Sequence, residues 1–263
     1  MSSVSPKYAI VRELGRTTNR GLRIFDRGEV DVPLAKRQHS DFCDALVKIG
    51  YKIVVTMPAN DDLPDSVFVE DPAVILGDVL VITRLARLER KGEEDELEKA
   101  LESYFTYRYR IKDPGLVEGG DVLVTDDTLY IGLSNRTNAV GAKLLSDIGS
   151  LLHYKTKMIQ LPNDRLHLKG EVAYHPDTDT ITVTPRLAPE FCNAKQRIIA
   201  IPVDDDLQRF GANCISKGNM MITTSECPAA ERILYAYGYK VLPVDLTEIN
   251  RIDGAMTCLC KVW

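Results

Sequence analysis

The sequence predicts an α/β protein built as a closed ring of five repeated units. Three observations carry this. Short β-branched strands recur in pairs, amphipathic helical windows lie between them, and polar or glycine-bearing loops open the units at a spacing of about forty to fifty residues. These opening loops are Asp65–Asp71, Glu118–Asp121, His167–Gly170, Gly211–Cys214 and Asp253–Cys258. Five units in a chain of 263 residues close a ring more readily than they extend a rod, which sets all five loops around one axis. The plain alternative is an irregular α/β domain whose spacing is coincidental.

Along the chain, Tyr8–Val11 reads as a first strand, Leu34–Gly50 as an amphipathic helix closed by glycine, and Lys52–Val55 as a return strand. Val67–Ile75 and Val79–Thr83 form the next predicted strand pair, followed by a helix over Glu93–Phe105. The third unit pairs Val122–Val124 with Thr128–Ile131, then runs through a helix at Asn138–Leu152 into a strand at Lys157–Gln160. In the fourth, Val172–Tyr174 and Thr180–Thr184 precede a helical window near Ala188–Lys195. The fifth has a strand at Met220–Thr224, a helix at Pro228–Gly238 and a strand at Lys240–Pro243. After Gly254 the apolar end of the chain, carrying Cys258 and Cys260, reads as a packed terminal strand. At i and i+2 the two thiols would share one face.

Composition bounds the function. Hydrophobic residues make up 44% and charged residues 27%, as expected of a globular chain, here taken as one domain over 1–263 because no Pro-, Gly- or Ser-rich linker divides it. A net charge of -5 and a pI near 5.5 provide no basic field for nucleic acid or anionic membrane. No secretory leader or membrane-length apolar run is evident, so a cytoplasmic location is expected. Six cysteines without CxxC pairs are too sparse for a disulfide scaffold and read mostly as buried thiols.

Thiol catalysis needs a thiolate, an imidazole to move protons, and a third group to fix the imidazole tautomer. Of the four histidines, His39 falls in a charged helical stretch, His153 at a helix end and His175 in an acidic turn, and all three read as surface or capping residues. His167 differs. It lies between two leucines in the slot where other units place Glu118 or Asp253, although a structural core histidine would look the same. Glu118-Gly119-Gly120-Asp121 sets two carboxylates around a double glycine that permits close approach, so Glu118 is a candidate to orient His167 while Asp121 satisfies loop amides. A plain turn is the alternative. In Asp65-Ser66-Val67-Phe68-Val69-Glu70-Asp71, three carboxylates bracket an apolar run; buried carboxylates invite a cation, and a planar guanidinium suits them. Arg90 and Arg136 could hold a ligand carboxylate. Arg84, Arg87, Arg90 and Lys91 also read simply as a solvated basic patch.

These motifs, together with Gly132-Leu133-Ser134-Asn135-Arg136-Thr137-Asn138 and Asp253-Gly254-Ala255-Met256-Thr257-Cys258, occur in an order and spacing that resembles the dimethylarginine dimethylaminohydrolase family of the guanidine-modifying pentein superfamily, from Tyr8 to Val262. The resemblance implies a five-bladed α/β propeller of ββαβ repeats with a central active site. It implies Cys258 as nucleophile, His167 as acid/base and Glu118 as the orienting carboxylate. Glu70 and Asp71 would face the guanidinium. Asp65, with the carbonyls of Leu22 and Ile252, would receive an α-amino group, and Arg90 and Arg136 an α-carboxylate. Gly15–Arg23 resembles the family's lid. Two stretches depart from the pattern: Leu85-Ala86 replaces a Pro-Gly turn, leaving Arg87 as an alternative to Arg90, and the lid lacks a Pro-rich sequence. The implied reaction is hydrolysis of Nω-methylated arginine to citrulline and a methylamine through a covalent Cys258 adduct, without metal or cofactor. The expected partner is a small guanidino amino acid, with the protein acting as a monomer or homodimer. An arginine deiminase, an amidinotransferase, and a non-catalytic guanidine-binding protein stand as alternatives.

Overall fold

In the computed structural model, which describes residues 7–203 and 210–263, four of the repeated segments fold as a hairpin, a crossover and a parallel return strand, and in the first the last strand of the chain takes the place of the hairpin partner. The chain starts with β1 (Tyr8–Arg12), α1 (Val32–Ile49) and β2 (Lys52–Met57). The second unit is β3 (Ala73–Leu76), β4 (Val79–Ile82), α2 (Glu93–Leu101) and β5 (Tyr107–Arg110). The third is β6 (Val122–Val124), β7 (Thr128–Leu133), α3 (Ala139–Leu151) and β8 (Lys155–Gln160). β9 (Val172–His175), β10 (Thr180–Val183) and β11 (Arg197–Ala200) form the fourth. The fifth comprises β12 (Ile215–Lys217), β13 (Met220–Thr224), α4 (Pro228–Ala236) and β14 (Lys240–Val244), followed by α5 (Thr247–Asn250) and β15 (Cys260–Val262).

The strands make five three-stranded sheets. The middle strand of each sheet pairs antiparallel with one neighbour and parallel with the other, as in β3-β4-β5 and β6-β7-β8. A parallel return needs a crossover of a dozen residues or so, which is the length the helical segments supply. In the first sheet the antiparallel partner of β1 is β15, with Ala9 opposite Val262 and Val11 opposite Cys260. The first and last strands therefore share a sheet, and the ring closes on itself.

Local chemistry sets the helix ends. Asp31 accepts the Leu34 N–H at 2.9 Å to start α1, and Gly50, at φ 108°, ends it in the left-handed region open to glycine. Asn138 caps α3 by accepting the Gly141 N–H at 2.7 Å. Apolar faces fill the seams between units: Phe42 and Leu46 of α1 belong to one buried cluster with Ile222 and Val244 of the fifth unit and Phe68 of the second. Burying such side chains contributes roughly 1.5–3 kcal/mol each. No helix among the described residues is long and apolar enough to cross a membrane.

Four expectations change. Val67–Val69 is buried but lies in a run of tight turns, with the Phe68 N–H donating to Asp65 O at 2.9 Å; the strand begins only at Ala73, beyond Pro72. Burial, not extension, explains its apolar β-branched character. The window at Ala188–Lys195 yields a 3-10 turn, Ala188–Phe191, whose only buried residue is Phe191, too small an apolar stripe to hold a longer helix. Cys258 sits on a 3-10 turn, Thr257–Leu259, and only Cys260 opens the strand, so the two thiols do not share a strand face. His39 and His175 are core residues. His175 bridges Ser216 Oγ and Thr182 Oγ1, both at 2.9 Å, and so ties β9 to β12.

Burial pushes His39 down to about 4 and His175 down to about 3, so both stay neutral in the folded protein. The unfolded chain takes up these protons near pH 6.5, and stability should therefore fall as pH drops from 6.5 toward 4, by up to roughly 1.4 kcal/mol per pH unit for each histidine. Urea melts at pH 7.5 and pH 5 should show this loss, and His39→Leu should reduce it. An unchanged pH dependence in that variant would rule out a neutral buried His39.

Candidate active site

The opening loops converge at one end of the sheets. The second-unit loop turns at Asp65–Asp71 and buries the Asp71 carboxylate. Arg90 Nη1 donates to Asp71 Oδ2 at 2.7 Å, and its Nη2 and Nε engage Glu93 at 2.7 and 3.0 Å. The third-unit loop enters as Glu118 followed by a 3-10 turn at Gly119–Asp121. Its glycines are required by contact: a Cβ on Gly119 would lie 2.2 Å from Glu70 O, and one on Gly120 would lie 2.7 Å from His167 Nδ1. Gly120 N–H donates to Asp71 Oδ1 at 3.0 Å, which joins the two loops.

His167 comes from the fourth-unit loop. Its Nε2 donates to Glu118 Oε2 at 2.8 Å, while Nδ1 lies 3.9 Å from Asp71 Oδ1. Asp121 holds that loop in place, accepting from Leu168 N at 3.0 Å and Ser134 Oγ at 2.6 Å. The Glu118 carboxylate also takes Arg136 Nη1 at 3.2 Å. Burial alone would lower the basicity of His167, but Asp71 and the Glu118 hydrogen bond outweigh it and raise the imidazole to about 9. Glu118, despite burial, is held below the usual carboxylate range by His167. Asp121 is pushed up by burial to about 6.

Cys258 follows from the fifth-unit end of the ring. Its thiol is held well above the ordinary cysteine range by burial, then by Glu70 and Asp71, with Lys169 opposing. Cys258 and His167 line two adjoining cavities. The narrower one is bordered by Leu22, Asp65, Asp71, Arg90, Arg136 and Ile252. The larger, of about 350 Å³, opens past Ile24, Arg165, Glu171 and Phe210. Asp65 accepts the Leu22 N–H through both oxygens at 3.1 Å, tethering the segment that resembles a lid.

The structure thus brings Cys258, His167, Leu22, Asp65, Asp71, Arg90, Arg136 and Ile252 to one cavity, with Glu118 buried behind the imidazole. Glu70 is different. Expected to face a guanidinium, its buried carboxylate instead contacts Lys169 and accepts from Thr257 Oγ1 at 2.8 Å, a cation and a hydroxyl that satisfy its charge and hydrogen-bonding capacity. Arg90, not Arg87, borders the cavity; Arg87 is exposed and pairs with Glu89 at 3.1 Å. Arg90 is also more committed than expected, since Asp71 and Glu93 occupy much of its guanidinium. Sequence reading missed Glu93, Asp253, Asn213 and Lys169. Asp253 accepts from the Ile24 N–H and, at 2.6 Å, from Arg27, at a left-handed φ of 57°. Its place beside Gly254 in an opening loop was the available signal. Asp71, Glu118 and His167 have donor atoms within 4.8 Å of one another, a set of metal-ligating types, yet Arg90 and Arg136 already supply the positive charge there.

A family described as "N,N dimethylarginine dimethylhydrolase, eukaryotic" matches residues 27–261. The N(G),N(G)-dimethylarginine dimethylaminohydrolase of Pseudomonas aeruginosa is 32% identical over 255 residues, 96% of this chain and 98% of that protein. The enzyme of the same name from Streptomyces coelicolor is 32% identical over 261 residues, 96% and 95% of the two chains. A solved structure of the Pseudomonas protein, a cysteine-to-serine mutant complexed with citrulline, superposes with a TM-score of 0.90 at 30% identity over 99% of this chain and 100% of that one. The N-terminal domain of ArgZ, a cyanobacterial arginine dihydrolase, shares the fold at a TM-score of 0.80 and 18% identity, covering 97% of each chain. The ring of five small sheets is the pentein fold.

If Glu118 sustains the imidazolium, Glu118→Gln should lower the His167 titration midpoint by about one unit or more, equivalent to about 1.4 kcal/mol. Imidazole chemical shifts followed by NMR against pH check this, and an unmoved midpoint would remove Glu118 from that role. Gly120→Ala should displace His167 and cost more in turnover than in thermal stability.

Proposed function

The chain belongs to the dimethylarginine dimethylaminohydrolase family, hydrolases that act on C–N bonds, and on that footing we propose that it hydrolyses Nω-methylated arginine to citrulline and a methylamine. The observation that carries this reading is the placement of Cys258 and His167 at the junction of two cavities, beside the buried Asp71 carboxylate. In this reading the amino-acid end of the substrate lies in the narrower cavity, with its ammonium toward Asp65 and the Leu22 and Ile252 backbone and its carboxylate toward Arg136 and Arg90. The guanidinium then reaches Asp71, and its methylated nitrogen points to the larger cavity. That space favours a substituted guanidine over free arginine.

Electrostatics supports the sequence of steps. In the empty site burial, Glu70 and Asp71 keep Cys258 as a thiol, while His167 is held as imidazolium to about pH 9. A docked guanidinium adds positive charge beside the sulfur and offsets those carboxylates, so the thiol releases its proton to solvent water when substrate is present. The thiolate attacks the guanidinium carbon. His167 donates its proton to the departing nitrogen, the C–N bond breaks, and a neutral methylamine leaves through the larger cavity. The now neutral imidazole takes a proton from water, whose oxygen attacks the carbon of the thiouronium adduct. Collapse breaks the C–S bond, and the hydroxyl proton of the adduct passes to the departing sulfur, yielding citrulline and restoring the Cys258 thiol.

Cys43, Cys192, Cys214, Cys258 and Cys260 carry free thiols, which fits a reducing cytoplasm, the location we infer. Citrulline production from arginine, monomethylarginine and asymmetric dimethylarginine tests the substrate assignment, with the methylated substrates expected to give a kcat/KM at least about tenfold above arginine. Arginine turned over best would make the protein a deiminase. Cys258→Ser should lower kcat by about 10³-fold or more, and normal turnover in that variant would end the covalent mechanism.

A further inference from the structure

Beneath Cys258 lies a buried polar network that the catalytic reading leaves unused. Glu70 sits between two partners: one carboxylate oxygen contacts Lys169 Nζ and the other accepts from Thr257 Oγ1 at 2.8 Å. Asn213 locks the same threonine, accepting the Thr257 N–H at 2.9 Å and donating to its Oγ1 at 2.9 Å. Asn213 Nδ2 also donates to Lys169 O at 2.6 Å, and the Glu70 N–H donates to Cys258 O at 3.3 Å. Three opening loops, through Glu70, Lys169 and Asn213, therefore meet around the turn Thr257–Leu259 of the last loop, which carries the nucleophile.

We propose that Lys169 is a positioning residue for Cys258: by pairing with Glu70 it braces the Thr257–Leu259 turn and cancels a buried negative charge that would repel the thiolate. The inference rests on the reading of Cys258 as the nucleophile. Glu70 and Asp71 oppose the thiolate from the second-unit loop, and Lys169 favours it from the fourth. His167 borders the same cavity. Lys169 in turn faces Glu70, Cys258 and Cys260. Lys261, on the strand behind, is pushed down to about 8 by burial and by Lys169, and it is Lys169 whose Nζ contacts the Glu70 carboxylate. Without Lys169, Glu70 would keep only its Thr257 hydrogen bond and stand as a buried carboxylate with no paired cation, a costly arrangement that both loosens the turn and disfavours the thiolate.

The test reads the thiol itself and needs no substrate. The rate of Cys258 alkylation by iodoacetamide, resolved from the other cysteines by peptide mass spectrometry, is measured against pH in the full-length protein. Lys169→Met should raise the midpoint by about one pH unit, seen as roughly tenfold slower alkylation at a fixed pH below the midpoint. Lys169→Arg should restore much of the rate. Glu70→Gln, which keeps the shape but removes the charge, should shift the midpoint the other way, and Lys169→Met with Glu70→Gln should lie near the wild type. Should Lys169→Met fail to fold by circular dichroism, Glu70→Gln decides. A midpoint in Glu70→Gln that is unmoved or raised overturns the proposal, as does a folded Lys169→Met with an unmoved midpoint. If Glu70→Gln raises KM while leaving the alkylation midpoint unchanged, Glu70 belongs to the substrate clamp and the proposal also fails. A Cys258→Ser variant with normal turnover would instead break the catalytic reading, so the two failures are distinct.

Discussion

Charge buried at the axis of the ring is the constraint on which the rest of the site depends. Asp71, Arg90, Glu93, Glu118, Arg136 and His167 are largely withdrawn from water, and each alone would carry a penalty of several kcal/mol. They are tolerable only as a set, joined through Arg90 to Asp71 and Glu93 and through Glu118 to Arg136 and His167. The members come from different units, so the pairing requires the loops to meet, and the repeated sheets make them meet. Once paired, the groups have little freedom to reorient, which preorganises the field into which a cationic ligand and a developing charge would be placed.

Closure of the ring positions the sulfur. A chain terminus ordinarily frays, yet β15 is pinned against β1, and the residues just before it are held by Asn213 and by the Glu70 N–H. Cys258 lies between those restraints on a 3-10 turn. Its surroundings are hostile to a free thiolate and hospitable to an imidazolium at His167. In the proposed reaction the thiol stays protonated until the positive charge of a substrate arrives, a division of labour that protects it from adventitious chemistry.

The architecture was largely legible because each unit repeats the same local signals: strand, turn, amphipathic helix, glycine, strand. Errors fell where burial and secondary structure part company. Val67–Val69 has the composition of a strand but is buried as turns, and Ala188–Lys195 lacks the apolar stripe needed for more than one short turn. His39 and His175 looked like surface residues beside charged neighbours, because a side chain's depth depends on what packs over it from elsewhere, such as Ser216 against His175. In the candidate site, Cys258, His167 and Glu118 stood out by chemical type and by register within the repeat. The direction of Glu70 and the commitment of Arg90 to Glu93 could not be read, since carboxylates in a loop look alike whether they face a ligand or a lysine.

The sequence by itself determined the closed five-unit ring, the loops that would face its axis, and the identity of the thiol, imidazole and carboxylate candidates. Periodicity, turn residues and side-chain chemistry are local properties, and they are written in the order of residues. Only the tertiary structure decided which charges neutralise one another: that Asp71 answers Arg90, that Glu118 backs His167, and that Glu70 turns to Lys169 and Thr257. These contacts join residues as far as 187 positions apart, and electrostatic pairing depends on distance through space and on the exclusion of water, neither of which is encoded by neighbourhood along the chain.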